Sequence, residues 1–100
     1  MAMVVFKIEP SKAAALTAIT SDDTVSRQSI HTRDSRALGL AGNFLYMRVT
    51  GSDAGIAQAK KIVSEQKIGD ALDLAEANKV SQAIDAEEDA AAEGMGALFG

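Results

Sequence analysis

Apolar and polar residues alternate in two stretches of the chain, residues 3–9 and 43–50. Such a period of two is typical of β-strands that bury one face. In the first stretch, one face carries Val4, Phe6 and Ile8. In the second, Leu45, Met47 and Val49 share one face, and Phe44, Tyr46 and Arg48 share the other. Residues 24–33 are rich in β-branched but polar residues, which predicts an edge strand or a long hairpin arm.

Three other stretches have the composition or the apolar spacing of helices. Residues 12–19 are rich in alanine and leucine and follow Pro10, with Ser11 as a candidate N-cap. Residues 51–68 have Ser52 as a plausible N-cap and an apolar stripe made by Ile56, Ala59, Ile62 and Val63. The last helical stretch begins at Asp70, and its stripe consists of Leu74, Ala77, Val80 and Ile84.

The predicted order of elements is β-α-β-β-α-α, followed by an acidic segment. This order resembles a small ferredoxin-like or ACT-like α+β unit, in which two helices cover one face of an antiparallel sheet. The fourth strand of such a unit is not visible, and the helix 70–84 stands in its place. We therefore expect a compact α+β domain over residues 1–84 and a C-terminal tail, residues 85–100, made of an acidic alanine-rich hinge and an apolar end.

Composition argues against an enzyme. The chain of 100 residues has no cysteine and one histidine, His31, so the standard zinc sites and a cysteine nucleophile are excluded. No phosphate loop or nucleophile elbow is present, and the carboxylate pairs lack the spacing of a calcium loop. We expect no catalytic residue, no cofactor and no metal, and we interpret His31 as an exposed strand residue.

The start of the chain, MAMVVFKIEP, has no basic residues followed by a long apolar core and a cleavage pattern, as a signal peptide would have. No run approaches the about 20 apolar residues of a membrane span. These features predict a cytoplasmic protein that does not enter a membrane.

Charge is unevenly distributed along the chain: residues 1–67 carry nine basic and six acidic residues, whereas residues 68–100 carry one basic and eight acidic residues. This asymmetry indicates two parts with different roles, although an acidic tail that only confers solubility would look the same.

The chain ends in EEDAAAEGMGALFG. This end resembles the C-terminus of the archaeal ribosomal stalk P protein, over about the last 15 residues. In that family the terminal segment recruits translational GTPases and the ribosome-recycling ATPase, and it binds them as a short helix in an apolar groove. The resemblance implies that Met95, Leu98 and Phe99 are anchors and that acidic residues such as Glu87 and Glu88 accompany them. The remainder of the chain does not resemble the stalk protein.

The spacing of the apolar residues in this segment is independently that of a groove-binding helix. Met95, Leu98 and Phe99 stand at i, i+3 and i+4, on one face of a helix. Gly94 and Gly96 favour disorder in the free segment, so that ordering on binding lowers the affinity. The alternative is that Phe99 folds back on the domain as a C-terminal plug.

A second candidate surface is the sheet face that carries aromatic and basic residues. The candidate nucleic-acid-binding residues are Lys7, Arg27, Arg33, Phe44, Tyr46 and Arg48. Aromatic rings interleaved with cations on an open sheet stack bases and hold phosphates in RNA-binding folds. No RNA-binding consensus is present, and the helix 70–84 is an alternative cover for this face.

Three functions follow from these observations. The first is a non-enzymatic, archaeal, translation-associated binding protein whose tail engages a translation factor and whose domain docks on another component, such as ribosomal RNA. The second is an ACT-like regulatory domain that binds a small molecule at a dimer interface. The third is an RNA-binding module that uses the open sheet face. The pattern leaves the oligomeric state open.

Overall fold

A computed structural model describes the backbone of residues 2–99 and the side chains of residues 2–90. The strands are β1 (Ala2–Ile8), β2 (Ser29–Asp34), β3 (Leu45–Gly51) and β4 (Gly69–Ala71). The helices are α1 (Leu16–Thr20), α2 (Asp53–Glu65) and α3 (Leu74–Phe99), and two 3₁₀ segments are formed by Pro10–Ala15 and Val25–Arg27. The prediction of a small α+β fold is confirmed.

The four strands form one open sheet in the order β2-β3-β1-β4, and every neighbouring pair is antiparallel. The long strands β1 and β3 lie in the middle of the sheet and pair along their whole length, from Ala2 opposite Gly51 to Ile8 opposite Leu45. In this register, paired residues point to the same side of the sheet. The two alternating patterns of the sequence therefore combine into two continuous sheet faces.

One face of the sheet packs against α1 and α2 and forms the larger core. Its buried strand residues include Val4, Phe6 and Ile8, as the alternation predicted. The core is completed by Met47, Val49, Ile19, Val25, Ile56, Ala59, Ile62, Val63 and Ile68. The start of α2 is capped as expected, because Oγ of Ser52 accepts a hydrogen bond from the N–H of Gly55 at 3.1 Å.

The opposite face is covered by α3. Val5 and Tyr46 from the sheet form a second buried cluster with Ala77, Val80 and Ile84 of this helix. The alternative in which the C-terminal helix covers the aromatic face is therefore the arrangement that the structure has. The sheet is sandwiched between α1 and α2 on one side and α3 on the other.

The fourth strand is a correction to the prediction, which extended a helix from Asp70. Residues Gly69–Ala71 instead pair with Ile8, Lys7 and Phe6 at the edge of β1. Three residues are too few to show a period of two, and the strand forms because unpaired backbone groups of β1 need partners. Helix α3 starts only at Leu74, where Oδ1 of Asp73 accepts from the N–H of Glu76 at 2.8 Å.

The predicted apolar stripe of the last helix is also wrong at its first position. Leu74 has 75% of its surface exposed, whereas Ala77, Val80 and Ile84 are buried. The first turn of α3 precedes the part of the helix that crosses the sheet, and Leu72 from the connection packs against the cluster. Leu74 is consequently an exposed apolar residue on the helix.

Two elements in the first third of the chain are shorter than predicted. Residues Pro10–Ala15 form a 3₁₀ segment without a buried residue, and Ser11 does not cap it. A run of small residues has no apolar stripe that could stabilise a longer α-helix. Strand β2 starts at Ser29 rather than residue 24, because Val25 is buried in the core within a 3₁₀ turn. Among the described residues, no helix combines the length and apolar character needed to cross a membrane.

Candidate functional site: the charged seam between the sheet and α3

A group of charged and polar residues joins the sheet to α3 beside the second core. We call this group the charged seam; it consists of His31, Arg33 and Arg48 on the strands and Ser81, Asp85, Glu87 and Glu88 on α3. His31 lies directly opposite Arg48, and Arg33 lies opposite Tyr46, in the ladder between β2 and β3. Side chains that are opposite in a ladder share one face of the sheet. His31, Arg33 and Arg48 therefore all contact the same helix.

Arg48 is the buried member of the seam, with only 8% of its surface exposed. Its Nη1 donates to Oδ1 of Asp85 at 2.8 Å, to Oγ of Ser81 at 2.9 Å and to the Ser81 carbonyl oxygen at 3.3 Å. Nη2 lies 3.4 Å from Nδ1 of His31. A buried guanidinium is tolerated only when it is paired, and Arg48 therefore depends on α3 for most of its partners.

Arg33 and His31 bind Glu87 and Glu88, which follow Asp85 by two and three residues on α3. Nε of Arg33 lies 2.9 Å from Oε2 of Glu87, and its Nη2 lies 3.4 Å from Oε1 of Glu88. Nε2 of His31 lies 3.2 Å from the same oxygen of Glu88. These groups are partly exposed, so each pair contributes modestly to stability, whereas their number fixes where the helix lies on the sheet.

Lys7, Phe44 and Tyr46 lie on the same sheet face as the seam. Nζ of Lys7 is 4.0 Å from the centroid of the Phe44 ring, within the range of a cation–π interaction. Tyr46 is 7% exposed and belongs to the core under α3. Phe44 packs against the edge of that core and is only partly buried.

The structure thus brings together five of the six candidate nucleic-acid-binding residues and separates the sixth. Lys7, Arg33, Phe44, Tyr46 and Arg48 share one face, whereas Arg27 lies in the second 3₁₀ segment, exposed and 3.5 Å from Oδ2 of Asp23. In the middle of this face, α3 packs on Tyr46 and binds Arg48. RNA binding through this face stays a prediction, and it requires α3 to leave the sheet.

The residues predicted to bind a protein partner divide into two groups. Glu87 and Glu88 are paired with the sheet through the charged seam. The three predicted anchors, Met95, Leu98 and Phe99, lie outside the residues whose side chains the structure describes. Asp89 and Ala90, the last residues of α3 whose side chains the structure describes, are both exposed.

Ser81 and Asp85 are members of the seam that sequence reasoning missed. They are four residues apart, beside the buried positions Val80 and Ile84 on α3. A polar stripe adjacent to an apolar stripe was the available signal, because residues at i and i+4 lie on one side of a helix. In the part of the chain whose side chains the structure describes, no group of three or more acidic or histidine residues is placed to hold a metal ion.

The chain was compared with protein-family models, curated proteins and solved structures, and none of them matches it. The charged seam, the position of α3 and the C-terminal sequence are therefore the observations that bear on function.

Proposed function

We propose that this protein is a non-enzymatic binding protein that presents its C-terminal tail to a translation factor of archaeal type. The partner class, a translational GTPase or the recycling ATPase, is the one that the resemblance of residues 86–100 to the stalk tail implies. The observation that carries the proposal is the charged seam, which holds α3 on the sheet as far as Glu88. The stalk-like sequence begins at the same part of the helix.

The residues of α3 divide the helix into a docked part and a part available to a partner. Ile84 is the last buried residue in the described range, and Asp89 and Ala90 are exposed. Beyond them, Met95, Leu98 and Phe99 have the spacing of anchors that enter an apolar groove. A tail that emerges from a fixed helix keeps its anchors within reach of a factor bound near the domain.

The proposed fold is of the ferredoxin-like kind. The order β2-β3-β1-β4 and the antiparallel pairing support it, since β1, α1, β2, β3, α2 and β4 follow one another along the chain as in a split βαβ unit. Helix α3 is then an addition on the otherwise open face. A cytoplasmic location accompanies the proposed role in translation.

The proposal is tested by titrating fluorescently labelled archaeal elongation factors and the recycling ATPase with the full-length protein. The double variant Leu98→Ala, Phe99→Ala is expected to abolish binding, because each groove anchor typically contributes more than about 2 kcal/mol, or roughly thirtyfold in affinity. Leu74→Ala is the matched control: it removes an exposed leucine from the same helix, 75% exposed in the structure, and should leave the affinity unchanged.

If the unchanged protein binds no factor at micromolar concentrations and the double variant melts several degrees lower, the end of the chain is a plug for the domain. A melting shift caused by an amino acid would instead support the ACT-like alternative. Salt-dependent binding of single-stranded RNA would support the RNA-binding alternative.

A further inference from the structure

A basic cavity lies at one end of the sheet, away from the charged seam. It is formed where β1 ends, β4 begins and α2 ends, and its volume is about 760 Å³. Ligand pockets for small molecules commonly measure about 300–1,000 Å³. Phe44 and the buried residues Phe6 and Ile68 contribute apolar surface to the walls.

The charged residues of this cavity have a net positive balance. Lys7, Lys12, Lys60 and Lys67 line it, together with the carboxylates of Glu9 and Asp70. Two positive charges are thus in excess in the cavity, although the whole chain has a net charge of −4. Lysines that line one cavity attract anions and raise their local concentration.

These lysines have few interactions within the domain: Lys7 lies over the ring of Phe44, which lines the same cavity. Among residues 2–90, none of the four forms an ion pair, whereas the arginines of the charged seam are all bound to acidic residues of α3. Lys67, just after the end of α2, would also offset the helix dipole. That explanation does not extend to Lys7 on β1 or to Lys12 in the first 3₁₀ segment, which come from other parts of the chain.

Lys67 provides the sharpest observation, because its backbone is in the left-handed region with a φ of +51°. The N–H of Ile68 donates to the carbonyl of Val63 at 3.0 Å, and the N–H of Lys67 donates to that of Ser64 at 3.3 Å. This is the Schellman end of a helix, in which the residue at the position of Lys67 is usually glycine. A side chain at this position strains the backbone, and here the residue lines the cavity.

We propose that this cavity binds a small phosphorylated molecule that carries several negative charges. The lysine ammonium group is a compact charge that binds phosphate oxygens. Four lysines against two carboxylates match an anion of two or more charges better than a neutral or cationic ligand. The site is independent of the C-terminal tail, so the tail experiment and this one can succeed or fail separately.

The test is calorimetric titration of the full-length protein with tripolyphosphate, adenosine triphosphate and inorganic phosphate, at low salt and without magnesium. Lys67→Gly is the decisive variant, since it removes a cation and also relieves the backbone. We expect it to weaken tripolyphosphate binding about tenfold, the loss typical of one charge-assisted contact, while the melting temperature stays equal or rises. Tighter binding of adenosine triphosphate than of tripolyphosphate would support a nucleotide as the ligand.

Lys61→Gln is the matched control, because Lys61 is an exposed neighbour of Lys60 on α2 that does not line the cavity. It should change the affinity less than about twofold, as expected of a screened surface charge. Equal losses in Lys61→Gln and Lys67→Gly would overturn the proposal, because they would indicate attraction by the general surface charge. If neither tripolyphosphate nor adenosine triphosphate binds at millimolar concentration, the proposal is also overturned. A short single-stranded RNA, titrated in the same way, would overturn it too if it binds more than tenfold tighter than tripolyphosphate and loses affinity in Lys67→Gly.

Discussion

Arg48 and Asp85 connect the middle of the sheet to α3 through a hydrogen bond of 2.8 Å between Nη1 and Oδ1. The two partners differ in environment: Arg48 is 8% exposed, whereas the side chain of Asp85 is 60% exposed. The acid can therefore lose this bond and regain water, but the guanidinium cannot. Removing the acid should therefore lower the free energy of unfolding more than removing an ordinary surface charge does.

We predict that Asp85→Ala lowers the free energy of unfolding by about 1–3 kcal/mol, because it leaves a buried cation short of a partner. Urea denaturation measures this loss. Asp89→Ala, four residues further along the exposed side of α3, should change stability by less than about 0.5 kcal/mol. Equal effects of the two changes would mean that the seam contributes only long-range attraction.

A second prediction concerns the apolar contact of α3 with the sheet. Ile84 is completely buried against Val5 and Tyr46, so Ile84→Ala should lower the free energy of unfolding by about 2–5 kcal/mol. Leu74→Ala on the same helix should lie within about 0.5 kcal/mol of the unchanged protein. Chemical denaturation of both variants is the measurement, and a small loss for Ile84→Ala would show that α3 does not pack on the sheet in solution.

Asp22 contributes to the pH dependence of stability. Hydrogen bonds from the backbone N–H of Val25 and from the Gln58 side chain lower the pKa of this carboxyl below its ordinary value of 3.8. Desolvation opposes them, and the N–H of Thr24 adds a weaker lowering effect. A lowered pKa in the folded state means that the ionised carboxylate stabilises the fold. This stabilisation is fully present above pH about 4 and is lost as the pH falls through the lower, folded pKa.

We therefore predict that Asp22→Asn flattens the stability profile below pH about 4, with little change in its shape near neutrality. Urea denaturation between pH 2 and pH 6 measures the profile, and a carbon-detected NMR titration of the Asp22 carboxyl gives its pKa directly. Asp23→Asn, which changes the neighbouring residue outside this hydrogen-bond set, is the control. An unchanged acid limb in Asp22→Asn would remove Asp22 as its cause.

The last prediction concerns the close approach of β4 to β1. A Cβ atom on Gly69 would lie 2.5 Å from the backbone oxygen of Lys7, which cannot move without breaking the ladder. Gly69→Ala should therefore cost about 1–3 kcal/mol or more and speed amide exchange in β4. Gly39→Ala, at a φ of +69° in open space, should cost only about 1 kcal/mol and leave exchange in β4 unchanged.

Several features of this protein followed from local sequence. The alternation in β1 and β3 separated the two faces of the sheet correctly, because strand residues point to opposite sides whatever lies beyond them. Two features of α2 could likewise be predicted, because they depend on residues three or four apart. They are the cap formed by Ser52 and the apolar stripe of Ile56, Ala59, Ile62 and Val63. The spacing of Met95, Leu98 and Phe99 is a sequence property of the same kind, and their role stays a prediction.

Other features were decided only by tertiary structure. Strand β4 exists because the edge of β1 offers hydrogen-bond partners to Gly69–Ala71, and three residues carry no periodic signal of their own. The choice between an open aromatic face and one covered by α3 depended on where Tyr46 and Ile84 meet. The charged seam and the lysine cavity join residues from distant segments, and their contacts arise only when the strands take their register. Local sequence preferences do not encode contacts between distant segments, so these contacts were decided by the fold.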